Sequence, residues 1–226
     1  MKTILLKLAG PMQSYGTSSH FETRETDPHP SKSAIIGMVA AALGYRRSET
    51  EKIRALNRLK FAVRVDRVGE LLKDYHIVER YKPTGKIDTT HVTYRYYLED
   101  AIFVVALGSD DGALIEQIER AIESPYFQIY LGRRSLPPTY DFYLETVKSD
   151  PIEALRNYPL QDRRSKNKEE TVTLYGDLDL MPSRASRLRN DHVLSFDPRG
   201  RTFGFRGEGS MEIKLNTKEH DAFGAV

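Results

Sequence analysis

The run Ala101 to Leu107 is apolar on both of the alternating faces that an extended chain presents, so as a strand it has to be covered from two sides. A chain carrying such a run has to place it inside a sheet. The second constraint is Ala34 to Leu43, apolar all round and therefore a buried helix, with Ser33 as its candidate N-cap and Gly44 just past its end. It is the longest apolar run and falls short of the ~18 residues of a membrane span.

The remaining periodicities surround these two. Thr3 to Leu8 alternates, with Ile4, Leu6 and Leu8 on one face and Thr3, Leu5 and Lys7 on the other, which reads as a half-buried strand. Ser48-Glu49-Thr50-Glu51 has the form of a capping box before a short helix with Ile53 and Leu56 facing inward. Phe61 to Val65 and Leu71 to Val78 read as strands, and Glu79 to Thr93, around the turn signal Pro83-Thr84-Gly85, as a protruding hairpin. Asp110 or Asp111 caps a helix whose Leu114, Ile118, Ala121 and Ile122 share a face, ending at Ser124-Pro125. A loop over Tyr130 to Thr139 leads to a closing strand at Phe142 to Val147.

The order β-α-β-β-α-β is the plan of an α+β, ferredoxin-like, RRM-like domain. It is expected over residues 1–147, with a hairpin inserted at 78–97. Residues 148–226 are expected as a smaller, mainly β and irregular extension: a charged loop at Asp162 to Glu170, a short strand at Thr171 to Leu174, and a Gly- and Pro-punctuated stretch holding Arg184, Arg187, Arg189, Arg199, Arg201 and Arg206. The loops at Asp162 to Glu170 and Ser183 to Gly209 are expected to order in part only on assembly.

Composition narrows the chemistry. There is no cysteine, which excludes disulfides, zinc ribbons, Fe–S clusters and thiol nucleophiles and fits a reducing cytoplasm. Lys and Arg number 34 against 32 Asp and Glu, so the net charge of +2 leaves any basic surface local. Lys7 interrupts the apolar start, which is expected to be mature sequence. The six histidines, His20, His29, His76, His91, His192 and His220, show no metal-ligand spacing, and there is no P-loop, dinucleotide fingerprint or nucleophile elbow. No cofactor is expected.

Three stretches suit an anionic ligand. The first strand breaks at Gly10-Pro11 into a polar loop that returns at Pro30-Ser31-Lys32-Ser33, a helix start. Arg133-Arg134 sits between Gly132 and Ser135, where guanidinium forks, close backbone approach and a hydroxyl combine. The hairpin joins Arg80, Lys82, Lys86 and His91 to the rings of Tyr75, Tyr81, Tyr94 and Tyr96, as single-stranded nucleic-acid sites do. Each also fits a plainer role: a capped turn, a solvated loop, a solvated hairpin. The strand signature of a standard RRM is absent, so RNA would use loops and the hairpin rather than the open sheet. A metal-independent ribonuclease would need only a base, an acid and a cation, which His91, Tyr45 or Tyr94, and Lys86 could supply.

The sequence resembles a known family at Leu8 to Gly16 (LAGPMQSYG), Pro30-Ser31-Lys32-Ser33 with Ile36-Gly37, Asp74-Tyr75-His76, Tyr94-Arg95-Tyr96-Tyr97-Leu98, and Tyr130 to Ser135 (YLGRRS). In that order and separation these are similar to the Cas-five family of the type I-E CRISPR Cascade complex, within the RAMP superfamily. The resemblance implies a non-catalytic RNA-binding subunit of an antiviral surveillance complex, holding the 5′ handle of the CRISPR RNA. It also implies a thumb hairpin packed on the backbone subunit CasC, and the large subunit CasA nearby. A relative of another subtype is itself an endoribonuclease, so processing of CRISPR repeat RNA, with His91 or His76 as base, is the competing reading. Carried over, the handle contacts are Gln13, Ser14, Tyr15, Ser31, Lys32, Ser33, Tyr75, His76, Arg95, Arg133, Arg134 and Ser135, with Arg24 from its place in the same polar loop. Arg133, Arg134 and Lys32 would hold phosphates, Gln13 and Ser14 would read base edges, and Tyr15 or His76 would stack a base. Arg80, Lys82, Lys86 and His91 would face the partner.

Overall fold

The computed structural model describes residues 1–18, 20, 22–162, 164, 169–181 and 186–216. Its elements run β1 (Lys2–Ala9), β2 (Met12–Gln13), β3 (Thr23–Arg24), α1 (Lys32–Ala42), α2 (Thr50–Ala55), β4 (Lys60–Arg67), β5 (Glu70–Tyr81), β6 (Ile87–Glu99), β7 (Ile102–Ser109), α3 (Gly112–Glu123), β8 (Tyr143–Val147), α4 (Pro151–Asn157), β9 (Glu169–Asp177), β10 (Ser186–Ser195) and β11 (Thr202–Asn216). Short 3-10 turns follow α2 and β9.

Seven strands form one sheet in the order β10-β11-β9-β4-β7-β1-β8, with every neighbouring pair antiparallel. β7 lies inside it, between β4 and β1. Phe103, Val105 and Leu107 point into a core shared with α1, α2 and α3, while Val104 and Ala106 point into a second core closed by Ala154 and Leu155 of α4. The two-sided cover that the Ala101 to Leu107 run requires is thus supplied by different helices on the two faces.

That second layer changes the reading of β1. Thr3, Leu5 and Lys7 are buried like Ile4, Leu6 and Leu8, so the strand is covered on both faces rather than half-buried. Its polar members are satisfied: the Thr3 hydroxyl donates to the Ser149 carbonyl at 2.7 Å and the Lys7 ammonium to Asp141 at 2.6 Å. α4 is fastened by Arg64, which is 0% exposed. It pairs with Asp66 through two nitrogens, at 2.6 and 2.9 Å, and donates to the carbonyls of Leu155, Tyr158 and Pro159 at the end of the helix.

Helix ends follow from side-chain caps. Asp111 and Asp150 each accept from two backbone N–H groups at the starts of α3 and α4. The cap of α1 is Ser31, not Ser33, its hydroxyl accepting from the Ala34 N–H at 3.3 Å. Gly44 follows the helix at φ 77°, where glycine is favoured. The expected capping box does not form: α2 opens at Thr50 without a side-chain cap, because Glu49 accepts from the Arg46 N–H and from Lys52, both at 2.6 Å.

The expected irregular C-terminal stretch is regular. β9 pairs with β4, and β11 and β10 follow, so residues 169–177, 186–195 and 202–216 continue the same sheet. The charged loop expected at Asp162 to Glu170 lies largely outside the described residues, as do Arg184 and His220. A second, four-stranded sheet is built on β6: β2 pairs its end near Glu99, β3 runs parallel to it at Tyr94 and Arg95, and β5 pairs along its length. The β5–β6 hairpin is longer than the expected 78–97, and its turn at Lys82 to Lys86 uses Gly85 at φ 79°.

Candidate nucleic-acid interface

Two of the sequence stretches meet in space. The loop carrying Arg133 is laid against the segment after β2: the Ser14 N–H donates to the Leu131 carbonyl at 3.2 Å, and Leu131 is buried. Gly132 makes the fit possible. It sits at φ 86°, and a Cβ there would lie 1.7 Å from the Ser14 carbonyl oxygen.

This approach carries Arg133 to the base of the hairpin. Its guanidinium donates to the carbonyls of Arg24 and Tyr96, both at 3.1 Å, and lies 4.1 Å from the centre of the Tyr97 ring. Arg24 stands opposite Arg95 in the β3–β6 pairing. Three guanidiniums therefore share one site, and among the described residues none of them forms an ion pair with a carboxylate. Burial depresses the Arg133 pKa, the Tyr97 ring hydroxyl opposes this, and the charges of Arg95 and Arg24 push it down further. The Arg95 Nε and Arg133 Nη1 atoms are buried without a hydrogen-bond partner. Buried donors left unpaired cost about 1–3 kcal/mol each. An anion with several acceptor oxygens would satisfy them and neutralise the cluster.

The hairpin above this site has two chemically distinct faces, because directly paired residues share a face. One carries Tyr75 with Tyr94, Ile77 with Val92, and Tyr81 with Ile87, all six exposed, interrupted by Glu79 with Thr90 and with the Lys73 ammonium 4.1 Å from the centre of the Tyr94 ring. The other carries Asp74 with Arg95, His76 with Thr93, Val78 with His91, and Arg80 with Thr89.

The remaining sequence candidates divide. Arg134 and Ser135 are exposed in the turn beside Arg133, and Tyr75 is exposed on the apolar face of the hairpin. His76 is half-buried against Asp74 at 2.8 Å. Arg80 and Lys82 both lie 3.7 Å from Asp88 near the tip, and Lys86 and His91 are exposed.

Others are spent on the interior, contrary to expectation. Gln13 is fully buried, donating to the Leu8 and Ala101 carbonyls at 3.3 and 2.7 Å and accepting from the Tyr15 hydroxyl at 2.7 Å, so it has no free edge for a base. Tyr15 is 2% exposed, its ring edge-on to Phe103 at 6.2 Å, and burial raises its pKa well above the ordinary tyrosine value. Neither face of its ring is open to a base. The Ser14 hydroxyl donates to the Tyr96 carbonyl at 3.1 Å. Lys32 is buried and its ammonium pairs with Asp177 at 2.9 Å. Ser31 is occupied as the cap, with its hydroxyl 3.2 Å from that of Ser33.

Sequence reasoning placed Tyr97 only inside a matching motif. Its role as the platform under Arg133 depends on a contact across 36 residues that no local periodicity reveals.

Comparison with known proteins bears on this geometry. The family model described as CRISPR-associated protein (Cas_Cas5) matches residues 3–207. The chain belongs to the Cas5 family. Within it, the chain is 40% identical over 171 residues to the CRISPR system Cascade subunit CasD of Escherichia coli (strain K12), covering 69% of this chain and 76% of that protein. A chain of a solved CRISPR RNA-guided surveillance complex superposes with a TM-score of 0.81 at 35% identity, over 95% of this chain and 91% of that one. A crystal structure of a Cas protein superposes with a TM-score of 0.69 at 33% identity, over 95% of each chain. The Cas5 match spans both the arginine site and most of the C-terminal strands.

Proposed function

We propose that this Cas5-family chain is the subunit that caps the 5′ handle of the CRISPR RNA in a type I-E Cascade complex, binding the RNA without cutting it. The observation that carries the reading is the site formed by Arg24, Arg95 and Arg133, three guanidiniums without an ion pair among the described residues, two of which, Arg95 and Arg133, hold a buried unpaired donor. A single-stranded RNA end brings phosphates to such forks, and rings near them accept bases. Arg134 and Ser135 extend the site at its exposed edge, and His76 borders it from the hairpin. Gln13, Ser14, Tyr15, Ser31, Lys32 and Ser33 support it from behind by fixing the loops.

The order β1-α1-β4-β7-α3-β8, with sheet neighbours β4-β7-β1-β8, supports reading residues 1–147 as a ferredoxin-like domain and β5–β6 as its thumb. The apolar face of that thumb fits the backbone subunit CasC, with CasA docking nearby. Handle RNA substituted with a photoreactive uridine, assembled into the complex and irradiated, is expected to crosslink to peptides containing residues 24, 95 and 133–135. Crosslinks confined to other subunits would overturn the proposal.

A further inference from the structure

The arginines of the C-terminal strands fall into two kinds. Arg187, Arg189 and Arg206 are held by Glu208, Asp191, Asp177 and Asp27, and Arg199 by Asp197. Arg201 is different: among the described residues it forms neither an ion pair nor a hydrogen bond. Its guanidinium carbon lies 5.0 Å from the centre of the Phe203 ring and 5.7 Å from that of Phe196. The two rings meet edge to face at 6.1 Å, and Phe196 rests on α1 at Gly37, where an added Cβ would be 3.7 Å from the ring. Arg47, exposed and likewise without an ion pair among the described residues, is near enough that its charge opposes that of Arg201; burial is the larger depressing effect, and Tyr130 opposes both. Tyr130 opens the loop that carries Arg133 and Arg134.

Arg201, stacked on two rings without a charged partner among the described residues, and the like charge of exposed Arg47 repel each other, and an anion between them relieves that repulsion. The acidic side chains of a protein partner would meet the charge but leave the flat surfaces to separate aromatic residues. A single-stranded polynucleotide supplies phosphate and flat bases together, matching guanidinium and rings at once. The Tyr130 loop also links this patch to the arginine triad. We propose that Arg47, Arg201, Phe196 and Phe203 form a second contact for single-stranded RNA, continuing the strand held at the Arg24, Arg95 and Arg133 site. This rests on the RNA-binding reading above and gives the C-terminal strands a part in it.

The test uses the full chain and oligouridylates of about 4 and about 12 nucleotides, bracketing single-strand site sizes. Wild type should bind the longer probe more tightly. The pair Arg47→Ala with Arg201→Ala should lose about tenfold in affinity for the longer probe only, with the log–log salt slope reduced by about 1.4 for two lost cations. Arg47→Glu alone, at an exposed position, should weaken long-probe binding while melting like wild type. The pair Arg95→Gln with Arg133→Gln should weaken both lengths. Unchanged long-probe binding in the first pair, with both lengths weakened in the second, overturns this inference and leaves the handle site standing. Failure of both pairs to weaken binding overturns both. Loss of complex assembly without loss of RNA affinity in the Arg47 and Arg201 variants assigns the patch to protein and also overturns it.

Discussion

At the scale of single residues, Gly132 is the position on which the arginine site most depends. Any side chain there meets the Ser14 carbonyl and must also adopt a left-handed backbone, which alone costs about 1–2 kcal/mol. Gly132→Ala is therefore expected to lower stability by at least about 2 kcal/mol and to weaken RNA binding. Urea unfolding and an RNA titration check the two effects, and a wild-type unfolding midpoint would contradict the first. The second sensitive point is His29. It is buried against Tyr175 at 4.0 Å and beside Arg189 and Glu208. Burial pushes its pKa down against the opposing hydrogen bond of Glu208, while the Glu208 carboxyl, pushed up by burial, is held far below its ordinary range by His29 and Arg189. His29 must take up a proton on unfolding below its free value of about 6.5, and Glu208 one below about 4.3. In both cases the unfolded state binds more protons, so stability falls as pH drops from about 6.5 into the acid range. Glu208→Gln should lower stability by about 3–5 kcal/mol near neutral pH, because it leaves Arg189 and Arg206 buried beside a lost charge, and should flatten the acid limb. Equilibrium unfolding from pH 7 to pH 3 measures both, and parallel curves for the two proteins would contradict the account.

Among the elements, the hairpin and α4 show where sequence reasoning reached and where it stopped. β5–β6 announces itself through Pro83-Thr84-Gly85 between polar strands, and the turn is there; its length is understated because Leu71 to Val78 reads as a separate strand until it is seen to pair with β6 from Glu70 onward. α4 carried a readable start, Asp150 before Pro151, but at seven residues it is too short for a periodic signal. Its cover over Leu5, Val104 and Ala106 is what a local reading of β1 lacked. Since the outer hairpin touches little of the core, trimming residues 79–90 and rejoining Val78 and His91, which stand opposite each other, through an Asn-Gly turn should leave thermal unfolding within about 0.5 kcal/mol of wild type. The same variant should fail to co-elute with the backbone subunit in size exclusion. Normal co-elution would show that the outer part of the hairpin, with Tyr81 and Ile87, is not the docking surface.

For the whole molecule, residues 1–147 were legible because their order of strands and helices is encoded in local periodicity and turn chemistry. Of the C-terminal strands only Thr171 to Leu174, inside β9, was. Arg189 and Asp191, like Arg206 and Glu208, alternate in a pattern that reads as a solvated face, yet they neutralise one another, and Asp177, which Arg206 also holds, pairs with Lys32 across 145 residues of sequence. The same interior pairing holds Lys32 away from the arginine cluster's surface, and the same long-range packing encloses Gln13 and Tyr15. The cluster of Arg24, Arg95 and Arg133, without an ion pair among the described residues, is the feature on which the proposed function rests. Its decisive measurement is the dissociation constant of a handle-bearing CRISPR RNA, over a salt series, for wild type and for Arg95→Gln with Arg133→Gln. The variant is expected to bind more weakly by about 1–3 kcal/mol per lost charged contact, with a salt slope shallower by about 1.4. Identical affinity and slope in the two proteins would contradict it.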